Sequence, residues 1–145
     1  MPILFVSLII SLAAGIAAGL QGPLTTVVSQ RLGTWEAVLI AHIGGITAAV
    51  IMLIFFGKGT LGEWRSVPWY ALLCGVLGLV VLGGITFSIP RIGAASGMTL
   101  LILGQLLIAV LLDHFGLLGM DVRALNPGRV AGLLTLVLGT WLILR

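Results

Sequence analysis

Charge is scarce in this sequence. Only 8% of its 145 residues are Asp, Glu, Lys or Arg, whereas 60% are hydrophobic, and soluble domains ordinarily carry about 25% charged residues. One helical crossing of a hydrocarbon core about 30 Å thick takes about 20 apolar residues, which leaves room for about five crossings and short loops. The composition therefore predicts an all-α integral membrane protein with a single transmembrane domain over residues 1–145.

Other absences narrow the function. The lone Cys74 excludes an intrachain disulfide. The seven basic residues are dispersed and form no stripe of the kind that binds nucleic acid, so no nucleic-acid partner is expected. The sequence also has no phosphate-cradling glycine loop, no Cys/His metal spacing and no Ser-His-Asp set. We therefore expect no cofactor, no metal and no enzymatic activity.

Five apolar segments predict a bundle of about five transmembrane helices. Their approximate bounds are 3–30, 36–56, 67–89, 92–113 and 127–144. The first would be about 42 Å long as a continuous helix, so it must tilt, project from the membrane or break near Gly19–Pro23. Its length and its lack of a basic start favour a retained helix over a signal peptide. Asn126 followed by Pro127 is typical of an N-cap with proline at the first helical position.

Lys and Arg are divided almost evenly between the two sides of the membrane. With five crossings, the side of the N-terminus holds Lys58, Arg65, Arg123 and Arg129, and the other side holds Arg31, Arg91 and Arg145. A chain with one fixed orientation usually shows a clear excess on the cytoplasmic side. The balance favours insertion in both orientations, so that two copies form an antiparallel homodimer and supply an inverted repeat by assembly. One orientation with a weak charge signal is the alternative.

Amide and hydroxyl side chains within the apolar segments are candidates for substrate binding. Gln21 and Thr25 share one face of the first helix with small residues, and that face either packs against a neighbouring helix or lines a pathway. Gln21 also adjoins the expected break, which would free backbone groups toward a cavity. Gln105, near the middle of the fourth helix, must face protein or water because an unpaired amide facing lipid is costly. Its role is either structural hydrogen bonding or substrate binding.

Two titratable residues are candidates for proton coupling. His42 is the only ionisable side chain well inside an apolar segment, where such groups are usually functional and where an imidazole suits proton exchange. A neutral histidine hydrogen-bonded between helices is the alternative. Asp113 stands with His114 at the end of the fourth helix, where orienting the following loop is the alternative to coupling.

The last helix carries a seam of small residues. Its members recur every three or four positions: Gly128, Gly132, Thr135 and Gly139. This pattern is typical of close helix–helix contact, either within the chain or at a dimer interface.

Several of these residues belong to motifs that resemble a known family. The motifs are Gly93-Ala94-Ala95, Gln105-Leu106, Leu112-Asp113-His114-Phe115-Gly116, and Gln21 with Pro23. On them the whole chain resembles the short YdcZ-like branch of the drug/metabolite transporter superfamily, whose members are inner-membrane exporters. The asparagine often found two residues after the proline is here Thr25. The family contains single short chains, paired genes and fused double-length chains, in line with the balanced charges.

The resemblance extends to the small multidrug resistance proteins, which work as antiparallel dimers around a glutamate in the first helix. The first helix of this chain has no such acid. If protons drive transport here, His42 and Asp113 are the candidates that remain.

These observations predict a secondary-active transporter in the bacterial inner membrane that exports a small molecule. It would work as an antiparallel homodimer, or with a paired homologous chain, by alternating access. The substrate would bind near the membrane midplane at Gln21, Thr25, His42 and Gln105. The alternatives are a non-transporting assembly or regulatory subunit and a channel, although the sequence offers no ring of charges to line a pore.

Overall fold

The structure, a computed structural model, describes residues 2–145 apart from the side chain of Pro2, and these residues form helices and no strand. The helices are α1 (Pro2–Leu32), α2 (Thr34–Phe56), α3 (Cys74–Ile92), α4 (Ala94–Phe115) and α5 (Pro127–Leu144). Short 3₁₀ turns occupy Leu61–Ser66, Ala71–Leu73 and Leu117–Gly119. The five α-helices are each long and apolar enough to cross a membrane, which confirms the predicted fold class. The chain divides into two compact units, residues 1–87 and 88–145.

In the first unit, α1 and α2 form a hairpin joined by the single residue Gly33. Gly33 adopts φ 109° and ψ 158°, a region that is essentially reserved for glycine. Its amide donates to the Ser29 carbonyl at 2.9 Å, and its own carbonyl accepts from the Ala37 amide at 3.1 Å. Hydrogen bonds between residues four apart therefore continue through the joint, and the hairpin needs no further loop residues.

Helix α1 continues through Pro23 without the break that was one of three expected outcomes. Proline has no N–H, so the Gly19 carbonyl lacks its usual helical donor. In the next turn, Thr25 Oγ1 donates to the Gln21 carbonyl at 2.8 Å and Thr26 Oγ1 donates to the Gly22 carbonyl at 3.0 Å, so neither hydroxyl replaces the donor that Gly19 lacks. At about 46 Å, a helix of this length must tilt or project to fit the bilayer.

Helix α3 begins later than the sequence predicts. The apolar run suggests a start near residue 67, but the α-helix begins at Cys74. Between Pro68 and Cys74 the chain forms tighter turns, in which the Ala71 amide donates to the Pro68 carbonyl at 3.0 Å. The sequence pattern could not show this, because hydropathy does not distinguish 3₁₀ turns from α-helix.

The other end of α3 extends past Pro90 to Ile92, where the sequence predicts an interruption. Proline in the last turn removes one hydrogen bond, and the helix tolerates that loss near its end. A single glycine, Gly93, then joins α3 to α4 with φ 84° and ψ 158°. Its amide donates to the Ile89 carbonyl at 2.9 Å, and its carbonyl accepts from the Gly97 amide at 3.1 Å, as at the first joint.

In the second unit, α4 and α5 pack together, and α5 begins as the sequence predicts. Asn126 has an extended backbone, and its Oδ1 accepts from the Arg129 amide at 2.8 Å. Pro127 occupies the first helical position. The cap satisfies one of the amides that every helix N-terminus leaves without a partner.

Few side chains are buried within the chain. The buried apolar residues of the described part are Ala37, Val38, Leu82, Ile85 and Ile89, and the buried polar ones are Thr25, Thr26, Thr86 and Thr140. Most Leu, Ile, Val and Phe side chains face outward along all five helices. Lipid tails or other transmembrane helices must cover these faces, because water cannot.

Candidate functional site

A groove of about 330 Å³ opens in the first unit. It is lined by Gln21 of α1, by Ala41, His42, Gly45, Ile46 and Ala49 of α2, and by Leu82 of α3. Small residues on α2 leave the space, since glycine and alanine project little beyond the backbone. The lining is apolar except for one amide and one imidazole. The structure thus brings together Gln21 and His42, two of the four residues that the sequence predicts for the substrate site.

The Gln21 amide faces this groove without a partner. Its side chain is exposed and makes no hydrogen bond to any described residue. Moving an amide from water to an apolar medium without compensating hydrogen bonds costs about 2–7 kcal/mol of free energy. The groove must therefore hold water, substrate or a polar group from another chain when the helix lies in a bilayer.

His42 is held in one orientation by its own helix. Its Nδ1 lies 2.8 Å from the Val38 carbonyl oxygen. A carbonyl only accepts hydrogen bonds, so Nδ1 must carry a proton, and in the neutral ring Nε2 then presents a lone pair. The ring is half-buried. Its Nε2 is directed toward Gly78 of α3, where an added Cβ would lie 3.5 Å away.

Thr25 lies behind the groove rather than on its lining. Its side chain is buried, at 5% exposure, and its hydroxyl donates to the Gln21 carbonyl. This contact fixes the backbone of Gln21 in the turn that contains Pro23. Thr25, which the sequence predicts as a substrate-binding residue, thus lies next to Gln21 without lining the groove.

Gln105 belongs to the second unit, on α4, and its side chain is exposed. No described residue forms a hydrogen bond with its amide. Near the middle of a membrane-spanning helix this amide needs a polar partner for the same reason as Gln21.

Asp113 at the end of α4 forms an ion pair with Arg129 of α5. Arg129 Nη2 and Asp113 Oδ2 are 3.3 Å apart, and the two side chains are 30% and 34% exposed respectively. The Asp113 carbonyl accepts from the Arg123 amide at 2.8 Å, and Arg129 Nη1 donates to the Arg123 carbonyl at 3.1 Å. These contacts orient the connection between α4 and α5, which is the alternative role that the sequence suggests for Asp113.

His114 contributes to the same connection. Its Nδ1 accepts from the Leu125 amide at 3.2 Å. The residue is therefore anchored at the helix end and takes no part in the groove of the first unit.

The seam on α5 is open in a single chain. Gly128, Gly132 and Thr135 are exposed and Gly139 is half-buried. A Cβ at Gly132 or Gly139 would meet nothing within 4 Å. The Thr135 hydroxyl donates to the Ala131 carbonyl at 2.9 Å. The described chain therefore leaves room along the seam for the close approach of another helix.

Three features of these regions are not predicted by the sequence. Arg129 counts there only as a loop charge, although a basic residue just inside the last helix is a usable signal of a partner for Asp113. Gly78 gave no signal, because its closeness to His42 depends on how α3 packs against α2. Thr86 is 1% exposed, and its hydroxyl has no partner among the described residues. Hydropathy cannot reveal such a buried, unpaired hydroxyl.

Comparison with known proteins gives a consistent result. A family described as "Putative inner membrane exporter, YdcZ" matches residues 6–142. The chain is 34% identical over 137 residues to the inner membrane protein YdcZ of Escherichia coli strain K12, with 92% of this chain and 91% of that protein covered. No solved structure gives a significant match. The matched range includes parts of all five helices.

Proposed function

Because the chain belongs to the YdcZ family of inner membrane exporters, we propose that it is a secondary-active exporter of a small molecule that works as an antiparallel, dual-topology homodimer by alternating access. The family and the five membrane-spanning helices make it a multi-pass inner membrane protein and a transporter. The substrate site, the coupling and the dimer are the parts that we propose.

The substrate binds in the groove between Gln21 and His42. The observation that carries this proposal is that both side chains offer hydrogen-bonding atoms to one small, otherwise apolar space. A groove with few polar groups on apolar walls is the usual form of a small-molecule site. Thr25 supports the site by holding the Gln21 carbonyl.

His42 exchanges a proton for substrate. With Nδ1 bonded to Val38, Nε2 is the atom that accepts either a proton or a hydrogen bond from substrate. A lone pair that holds a proton cannot also accept a hydrogen bond from substrate. Protonation and substrate binding at Nε2 therefore exclude each other, which couples proton movement to substrate movement. Asp113 is the second candidate for coupling, and its carboxylate already has Arg129 as a partner.

Dimer formation is supported by three features of the single chain. The charges of the loops are balanced between the two sides. The α5 seam is open, so a second helix can approach closely. The exposed Gln105 amide needs a polar partner within the membrane, and substrate or a second copy supplies one.

Topology and transport are tested in the same protein. Cys74, which is exposed, is replaced by Ser. A single reporter cysteine is then placed at Gly59 in one variant and at Leu32 in another. Both substitutions leave all charges unchanged, and the two positions lie on opposite sides of the membrane. In intact cells, an impermeant maleimide should label about half of each reporter. Complete labelling of one reporter and none of the other would establish a single orientation and refute dual topology.

Transport itself is measured in proteoliposomes with pyranine inside, so that proton movement reports exchange. A panel of small amides, amines and organic cations is added outside at several concentrations. We expect saturable proton movement with at least one class, and its loss in Gln21→Leu. A purified chain that folds but moves no protons with any class would favour the assembly-subunit alternative.

A further inference from the structure

A second groove, of about 420 Å³, lies between α4 and α5 in the second unit. Its walls are Leu106, Ala109 and Val110 of α4 and Gly132, Leu133 and Leu136 of α5, and its mouth carries Asp113 and Arg129. The groove exists because Gly132 and Ala109 leave space between larger side chains. It is apolar along its length and charged at one end.

The charged end of the groove lies at the ends of two membrane-spanning helices. Asp113 is in the last turn of α4, and Arg129 is in the first turn of α5. Leu106 and Leu136 lie seven residues farther into the span on each helix, about 10 Å deeper. The groove thus runs from the headgroup level inward, which is the path of an acyl chain in one leaflet.

The two charges at the mouth leave polar atoms available. Arg129 uses Nη2 on Asp113 and Nη1 on the Arg123 carbonyl, and a guanidinium has five N–H donors. Among the described residues, Asp113 Oδ1 has no partner. The N-terminus of α5 lies beside Arg129 and adds a partial positive charge that favours phosphate.

We propose that this groove binds a phospholipid with a phosphoethanolamine headgroup. The phosphate lies against Arg129 and the start of α5, the primary ammonium donates to Asp113, and one acyl chain fills the apolar groove. The headgroup is zwitterionic, and its two charges are complementary to the Asp113–Arg129 pair. An anionic headgroup without an amine would be repelled by the Asp113 carboxylate. A headgroup with a quaternary amine has no N–H and could not donate a hydrogen bond to Asp113.

Native mass spectrometry of the full chain tests this assignment. The protein is purified from membranes, stripped of lipid, and given equal amounts of phosphatidylethanolamine, phosphatidylglycerol and phosphatidylcholine with identical acyl chains. We expect phosphatidylethanolamine to be retained at least about fivefold more than either competitor. Equal retention of the three lipids by the unaltered chain would overturn the proposal. This outcome does not depend on whether the variants described next can fold.

Variants locate the bound lipid. Gly132→Leu fills the groove, and Gly104→Leu makes the same change on α4 outside both the groove and the α5 seam, with open space at both positions. We expect Gly132→Leu to lose the preference and Gly104→Leu to keep it, while Arg129→Gln lowers retention of phospholipids generally. Unchanged retention in Gly132→Leu would overturn the proposal. The yield of dimer is measured on the same preparations, because Gly132 also belongs to the α5 seam: loss of the dimer with the lipid preference retained would place a second copy at Gly132 instead of lipid and would overturn the proposal.

Discussion

Gly78 of α3 lies directly opposite the free nitrogen of His42: a Cβ built on this glycine would be 3.5 Å from Nε2. The absence of a side chain keeps the lone pair open. Because Nδ1 is committed to the Val38 carbonyl, Nε2 is the only atom of the ring that remains to accept a hydrogen bond. Access to His42 thus depends on a residue of a different helix.

Gly78→Ala should weaken substrate binding without unfolding the protein. The added methyl makes ordinary contact with Nε2 and hinders one hydrogen bond, which is worth about 0.5–1.5 kcal/mol, or about a 2- to 13-fold loss of apparent affinity. Gly75→Ala is the matched control, because a Cβ there meets nothing. Proteoliposome transport measures both. Equal apparent affinities in the two variants would show that Nε2 does not contact substrate.

Gln21→Leu should raise stability while it abolishes transport. The substitution removes an amide that has no partner among the described residues, so the free energy of unfolding should rise by about 1 kcal/mol. Gln30→Leu, on the same helix but outside the groove lining, should leave transport unchanged. SDS titration monitored by circular dichroism gives the stability. A destabilised Gln21→Leu protein would mean that the amide has a structural partner instead.

Gln105→Ala should abolish saturable transport and leave the yield of dimer intact, if this amide binds substrate. A structural amide at the dimer interface would give the opposite pattern, with fewer dimers and a normal apparent affinity in those that form. Crosslinking through reporter cysteines and transport assays on the same preparation separate the two roles.

The Asp113–Arg129 pair should contribute modestly to stability. Both side chains are about one-third exposed, so a double-mutant cycle with Asp113→Asn and Arg129→Gln should give a coupling of about 0.5–1 kcal/mol. The connection between the helices should become more susceptible to proteolysis in both single variants. If Asp113 exchanges protons in addition to His42, Asp113→Asn should weaken the pH dependence of transport without removing it.

Gly33→Ala should destabilise the first unit by about 1–3 kcal/mol, because alanine strongly disfavours the backbone conformation of the joint. Gly15→Ala is the control: it lies within α1 with open space at Cβ, and should gain about 0.5–1 kcal/mol from helix propensity. Thermal unfolding in detergent compares the two. Similar melting temperatures would show that the joint relaxes easily to another conformation.

Much of the fold follows from the sequence because the bilayer restricts the chain to helices of known length. The start of α5 was predicted to the residue, since Asn126 and Pro127 act through local geometry. The late start of α3 is not predicted, because the residues that form turns after Pro68 belong to the same apolar run as the helix itself. The sequence leaves open whether α1 breaks at Pro23 or continues through it, because the hydropathy is the same in either case.

The site was predictable only in part. An amide and an imidazole within apolar segments stand out from composition alone, so Gln21 and His42 were found. Their common groove depends on the register of α1 against α2, which spacing along one helix does not determine. The same limitation applies to Gly78, and to the partnership of Asp113 with Arg129 across a connection of about a dozen residues.

The one-residue joint at Gly33 has a mechanical consequence. Because Gly33 is the one residue between α1 and α2, a change in the angle between the two helices requires rotation at this residue or bending within a helix. We therefore expect the separation of Gln21 and His42, one on each helix, to vary little. The wall formed by Leu82 belongs to α3, which is joined to α2 by the long segment 57–73. If the proposed alternating access opens and closes this groove, we expect α3 to be the helix that moves.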